Sequence, residues 1–123
     1  MKRLIIVALI LLSVLSTTSK AQFPTGNQGE ALDTKARGYW VDPSSGLMWA
    51  GKDNGKDLNW HNAMKYCRNL RLAGFSDWRL ASIDELRRIW DKSAEAPGRD
   101  GTGPCTWHIK GNLFLTGMEW SST

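Results

Sequence analysis

Between Leu58 and Trp90 the chain carries two helix-start signals inside one apolar framework, and this stretch narrows the folds open to it. Asn59 offers an N-cap oxygen ahead of Trp60, Ala63, Met64, Cys67 and Leu70, whose three- and four-residue spacing lays one apolar stripe along a helix. Ser82-Ile83-Asp84-Glu85 has the form of a capping box, in which Ser82 accepts from the Glu85 N–H and the Glu85 carboxylate reaches back to the Ser82 N–H. Ile83, Leu86, Ile89 and Trp90 are the expected buried side of the second helix. Between the helices lies Gly74-Phe75-Ser76-Asp77-Trp78-Arg79-Leu80, where Gly74 suits a left-handed turn. Asp77 and Arg79 specify no reaction by themselves. They are expected to pair, or to cap nearby backbone, around Trp78 and Leu80 pointing into a core.

Upstream, residues 1–21 have the form of an export signal. Lys2 and Arg3 are its charged start, Leu4–Leu15 is apolar apart from Ser13, and Ser19-Lys20-Ala21 supplies small residues for cleavage after Ala21. The apolar run is short for a membrane span, and no second one follows, so no span is expected after cleavage. Cleavage also removes three basic residues, taking 16 Lys+Arg down to 13 against 12 Asp+Glu. A balance near neutrality, together with export to the periplasm, cell surface or medium, excludes nucleic acid as a partner. Residues 22–37 are polar and aperiodic and are expected to be a flexible lead-in to one small domain over residues 38–123. Tyr39-Trp40-Val41 and Leu47-Met48-Trp49, joined by Asp42-Pro43-Ser44-Ser45-Gly46, predict a hairpin. Gly51–Asp57 has the texture of a calcium loop, but Met64 stands where such a loop needs its bidentate Glu, so a solvated turn is expected.

Downstream, Ala96–Pro104 is dense in Gly and Pro and is expected to be a surface loop. Thr106–Ile109 and Leu113–Leu115 are expected to be short strands. The two cysteines, Cys67 and Cys105, would meet an oxidising compartment after export. A disulfide between them would close a loop of about 40 residues and add roughly 3–4 kcal/mol; the alternative is two free thiols. His61 lies six residues from Cys67, off its helical face, so neither a Cys-His dyad nor a zinc site with Cys105 and His108 is suggested, and no cofactor is implied. Seven tryptophans are many for this length. Trp49, Trp60, Trp78, Trp90 and Trp120 are expected mostly in the core, while Trp40 and Trp107 are the expected exposed pair, able to stack on sugar rings. Arg68, Arg71, Arg87, Arg88 and Lys92 form either a basic face for acidic polymers or a solvated surface balanced by Asp84, Glu85 and Asp91.

Several of these residues also form an ordered motif set. It comprises Gly46-Leu47-Met48-Trp49, Asn59-Trp60, Ala63, Tyr66-Cys67, Asn69-Leu70, Gly74 through Leu80, Glu85-Leu86 and the closing Trp120-Ser121-Ser122-Thr123. The set resembles the Lcl C-terminal domain family of bacterial exported and surface proteins. The resemblance implies an α+β, C-type-lectin-like domain, with two helices against small antiparallel sheets, that binds glycan or surface protein rather than catalysing a reaction. An assembly module of the envelope is the alternative, and a relative of the formylglycine-generating enzymes a third. Ala81 stands where members usually carry Pro. Members also continue past Trp-Ser-Ser through further strands to a late cysteine, which commonly pairs with the cysteine of the first helix. The resemblance thus implies an incomplete fold here and a Cys67 without that partner.

Overall fold

Strand β4, Leu47–Ala50, has all four residues buried, so the strand is covered on both faces. Met48 and Ala50 join Ala63, Cys67, Trp78 and Leu80 in one apolar cluster. Leu47 and Trp49 join Trp40, Ala81, Ile89, Leu113 and Leu115 in a second. Trp49, 1% exposed, is the largest of the fully buried side chains, followed by Trp78.

The computed structural model describes residues 2–4, 6–9 and 27–123, and its elements make an α+β architecture. Strand β1 spans Lys2–Leu4, β2 Ile6–Leu9, helix α1 Asn27–Arg37, β3 Tyr39–Val41, α2 Trp60–Asn69, β5 Arg79–Leu80 and α3 Ile83–Ile89. Strands β6 (Ala96–Asp100) and β7 (Gly103–Trp107) form a hairpin, a 3₁₀ turn covers Lys110–Asn112, and β8 is Met118–Trp120. The main sheet has the order β3-β4-β2-β5, and β1 pairs with β8 in parallel. Part of the segment with the form of an export signal therefore lies in these sheets. Its expected cleavage point after Ala21 lies outside the described residues.

The hairpin and helix signals act as the sequence suggests. In the β3–β4 turn the buried Asp42 carboxylate accepts from Ser44 N, Ser44 Oγ and Ser45 Oγ at 2.7–3.0 Å. Asn59 caps α2 by accepting from Asn62 N at 2.9 Å. After α2, Leu72 and Phe75 exchange backbone hydrogen bonds across Ala73 and Gly74, both at positive φ, which is the signature of a two-residue primed turn.

Two segments differ from expectation. Residues 27–37 are helical although aperiodic, because the helix is stabilised at its end rather than along a stripe. Lys35 and Arg37 occupy the last turn, Arg37 pairs with Asp33 at 3.3 Å, and Gly38 N donates to Thr34 O at 2.9 Å. Residues 96–104 are not a loop but most of the β6–β7 hairpin, closed where the Asp100 carboxylate accepts from Thr102 N, Thr102 Oγ1 and Gly103 N. Pro97 and Pro104 are tolerated because a two-stranded ribbon consists of edge strands. Leu113–Leu115 is no strand, yet Leu113 and Leu115 are buried.

Ala73 holds a left-handed conformation (φ 54°) that costs a side chain with Cβ about 1 kcal/mol. Ala73→Asn is expected to raise stability by about 0.5–1 kcal/mol, since Asn-Gly is the preferred pair in such a turn. Urea unfolding would show this as a higher midpoint at unchanged slope; a lower midpoint would contradict the turn assignment.

Candidate functional site

The join between β5 and α3 fixes the geometry on which the surface is mounted. Arg79 donates from Nη1 to Glu85 Oε2 at 2.9 Å and from Nη2 to Glu85 Oε1 at 2.6 Å, a two-bond fork. Glu85 Oε2 also accepts from Ser82 N at 2.8 Å, while Ser82 Oγ accepts from Glu85 N, which completes the capping box. Arg79 thus pairs with Glu85, and Asp77 is exposed. The Arg79 hydrogen bonds, helped by the Ser82 donors, outweigh burial and hold the Glu85 carboxyl down to about 2.

At the far end of α3 the fold leaves a large aromatic in solvent. Trp90 is 60% exposed, whereas Ile89 beside it is 1% exposed. The core position expected for Trp90 is therefore corrected. Trp90 is the C-cap, with extended backbone (φ −68°, ψ 131°), so the chain leaves the helix there and the helical stripe no longer applies. Arg87, Arg88 and Lys92, within three residues of Trp90 in sequence, are exposed, and the half-buried Lys110 donates from Nζ to Arg88 O at 3.3 Å. Asp84 occupies Arg87 at 3.2 Å. Asp91 N donates to His108 O, and a bridge pairs Trp90 with Ile109, so the loop after β7 backs this face. An exposed indole among cations can stack on a pyranose ring while guanidinium and ammonium groups take carboxylate or sulfate oxygens.

The tryptophans expected at the surface are elsewhere. Trp40 is 7% exposed, its ring so close to Gly111 that a Cβ there would lie 2.2 Å from it. Trp107 is half-buried, with Nε1 donating to Leu115 O at 3.1 Å. Of those expected in the core, Trp49 and Trp78 are fully buried. Trp120 is half-buried and donates to Leu58 O at 2.7 Å. Trp60 is 36% exposed and donates to Ser121 O at 2.9 Å. Elsewhere, a cleft of about 510 Å³ has Lys35, Lys52, Asn112, Phe114 and Thr34 among its lining residues.

Cys67 and Cys105 are both free thiols: Cys67 is sealed in the first apolar cluster and Cys105 lies half-buried on β7. Burial pushes the Cys67 thiol up to about 12. No group of three or more metal-ligating side chains is assembled among the described residues. The Gly51–Asp57 segment is anchored rather than freely solvated. Asp53 is buried, its Oδ2 accepting from Thr116 N and Oγ1 at 2.7 Å each.

These features define an α+β domain whose interior tryptophans hold the core and whose loop side presents aromatic and basic groups. The chain belongs to the Lcl C-terminal domain family, whose profile matches residues 38–123. Comparison with curated proteins and with solved structures gave no match. No helix among the described residues is long and apolar enough to cross a membrane.

Two outcomes follow from the titrating groups. Because Glu85 is depressed in the folded chain, its contribution is complete above about pH 4.5 and is lost as pH falls toward 2. With Arg79 about half exposed, Glu85→Gln is expected to cost about 1–2 kcal/mol at pH 7 and to flatten the acid limb of stability against pH. Thermal melts of both proteins at pH 7 and pH 3 test this, and an unchanged acid limb in the variant would remove Glu85 as its source. A thiol reagent applied to the native protein is expected to label Cys105 and to spare Cys67 until unfolding. Equal labelling of the two, or of neither before reduction, would contradict the sealed-thiol arrangement.

Proposed function

We propose that this is an exported, non-catalytic binding domain of C-type-lectin-like build that takes acidic saccharide at the cell surface through the face around Trp90. The observation that carries the reading is Trp90 itself, a tryptophan left 60% exposed between Arg88 and Lys92 in sequence and bridged by backbone to Ile109, the residue before Lys110. An isolated exposed Leu needs no explanation, but a large exposed aromatic among cations is the composition of a recognition hot spot. The basic residues supply charge-assisted hydrogen bonds to carboxylate or sulfate, and the indole supplies a flat apolar platform. Binding rather than catalysis fits a face whose side chains offer cations and an aromatic plane.

Retention on immobilised polygalacturonate and heparin, compared with neutral dextran, tests the proposal. Trp90→Ala is expected to weaken binding about tenfold and Arg88→Glu about fivefold, with binding falling as salt rises. Both changes lie at the surface and are expected to alter stability by less than about 0.5 kcal/mol. If Trp90→Ala bound as tightly as the parent chain, the face would be wrongly assigned.

A further inference from the structure

Where the end of α1, the exit of β4 and the segment after the 3₁₀ turn meet, the fold leaves the cleft of about 510 Å³. Backbone hydrogen bonds fix its walls. Gly51 N donates to Gly38 O at 2.8 Å, Phe114 N to Gly51 O at 2.8 Å, and Asp53 N to Phe114 O at 3.2 Å. A Cβ at Gly51 would lie 2.9 Å from Gly38 C, so glycine is what lets these two segments approach so closely. Pro97 of β6 completes the lining, and Arg99 N holds β6 to the same neighbourhood by donating to Leu115 O at 2.8 Å. A cleft of this volume with walls tied in advance suits a small molecule.

The polar groups around it favour one charge. Lys35 and Lys52 line the cleft, and no Asp or Glu is among its lining residues. The side chains of Lys35, Lys52 and Asn112 make no hydrogen bond or ion pair among the described residues. Thr34 also lines the cleft, is 2% exposed, and its Oγ1 has no hydrogen-bond partner. A buried hydroxyl left unpaired costs stability, so one at the wall of a cleft calls for a partner that the protein does not supply. Phe114, 37% exposed, and Pro97 add apolar surface.

We infer that this cleft is a binding site for a small organic anion, a carboxylate carried on an aromatic ring system. Lys35 and Lys52 hold the carboxylate as two point charges, and the Thr34 hydroxyl and the Asn112 amide donate to its oxygens. The ring lies against Phe114 and Pro97. The site shares no residue with the face around Trp90, and it selects a single flat molecule where that face takes a polymer.

The test titrates the folded, isotope-labelled full chain with naphthoate, with neutral naphthamide and with galacturonate, following backbone amide shifts. Naphthoate is expected to move the amides of Gly51, Lys52 and Phe114 saturably, at one site, with a Kd of about 1 mM or tighter. Naphthamide keeps the ring and loses the charge, galacturonate keeps the charge and lacks the aromatic ring, and each is expected to bind at least about tenfold more weakly. Lys52→Gln is expected to weaken naphthoate about fivefold, while Lys56→Gln, an exposed change outside the lining, and Trp90→Ala leave it unchanged. Thr34→Val separates binding from packing: it is expected to weaken naphthoate about threefold and yet to raise the urea midpoint of the free chain, because the unpaired hydroxyl is gone. Equal binding of naphthoate and either control ligand, shifts centred on Trp90, or full affinity in Thr34→Val or Lys52→Gln would each overturn the proposal. A lower midpoint in Thr34→Val would overturn it too, by showing that the hydroxyl already has a partner within the chain.

Discussion

The double burial of Leu47–Ala50 is the constraint from which the rest of the arrangement follows. A four-residue strand with no exposed side chain can exist only if something covers each face. Helix α2 contributes Ala63 and Cys67 on one side, and Ile89 of α3 with Leu113 and Leu115 covers the other. Those assignments leave little freedom to the segments between them. Trp78 and Leu80 must pass beneath α2, Ala81 must switch to the opposite cluster, and the polar residues in between are left to fasten the crossing. The fork from Arg79 to Glu85 does this by tying the strand's last turn of chain to the first turn of the helix. Removing either charge would leave the cap formed but no longer anchored to the sheet.

Much of this was legible in the residues because local chemistry decided it. The Asn59 cap, the Ser82–Glu85 box and the Asp42–Gly46 turn are each written within four or five consecutive positions, and each forms as read. What was less legible depended on distant partners or on end effects. Helix α1 is held by its C-terminal turn, which an apolar stripe does not reveal, although the Lys35, Arg37, Gly38 sequence is a recognisable stop signal. The β6–β7 hairpin was obscured by Pro97 and Pro104, whose exclusion from strands holds for sheet interiors and not for a two-stranded ribbon.

The surface was the least legible part. Whether a tryptophan is core or platform turns on its neighbours in space, and Trp40 shows why. It is buried because Gly111, more than sixty residues later, has no Cβ and lets the backbone come to within contact of the ring. Trp90 shows the converse, one residue past a helix end and thereby swung out of a stripe that it matches by spacing. The basic residues of the same helix were visible from the start. The indole that gives them something to act with was not.

The turn at Asp53 has a further consequence, for the order in which the chain can be assembled. Its carboxylate is satisfied by Thr116, 63 residues later, while Trp60 and Trp120 each donate across 61 and 62 residues. Links of such span raise the contact order, and the closure entropy is spent before the contacts are gained. A chain emerging from its N-terminus holds Asp53, Leu58 and Trp60 without these partners until residues 116–121 have followed. The Asp53 turn and the start of α2 are therefore among the last parts of the domain to gain all their hydrogen-bond partners.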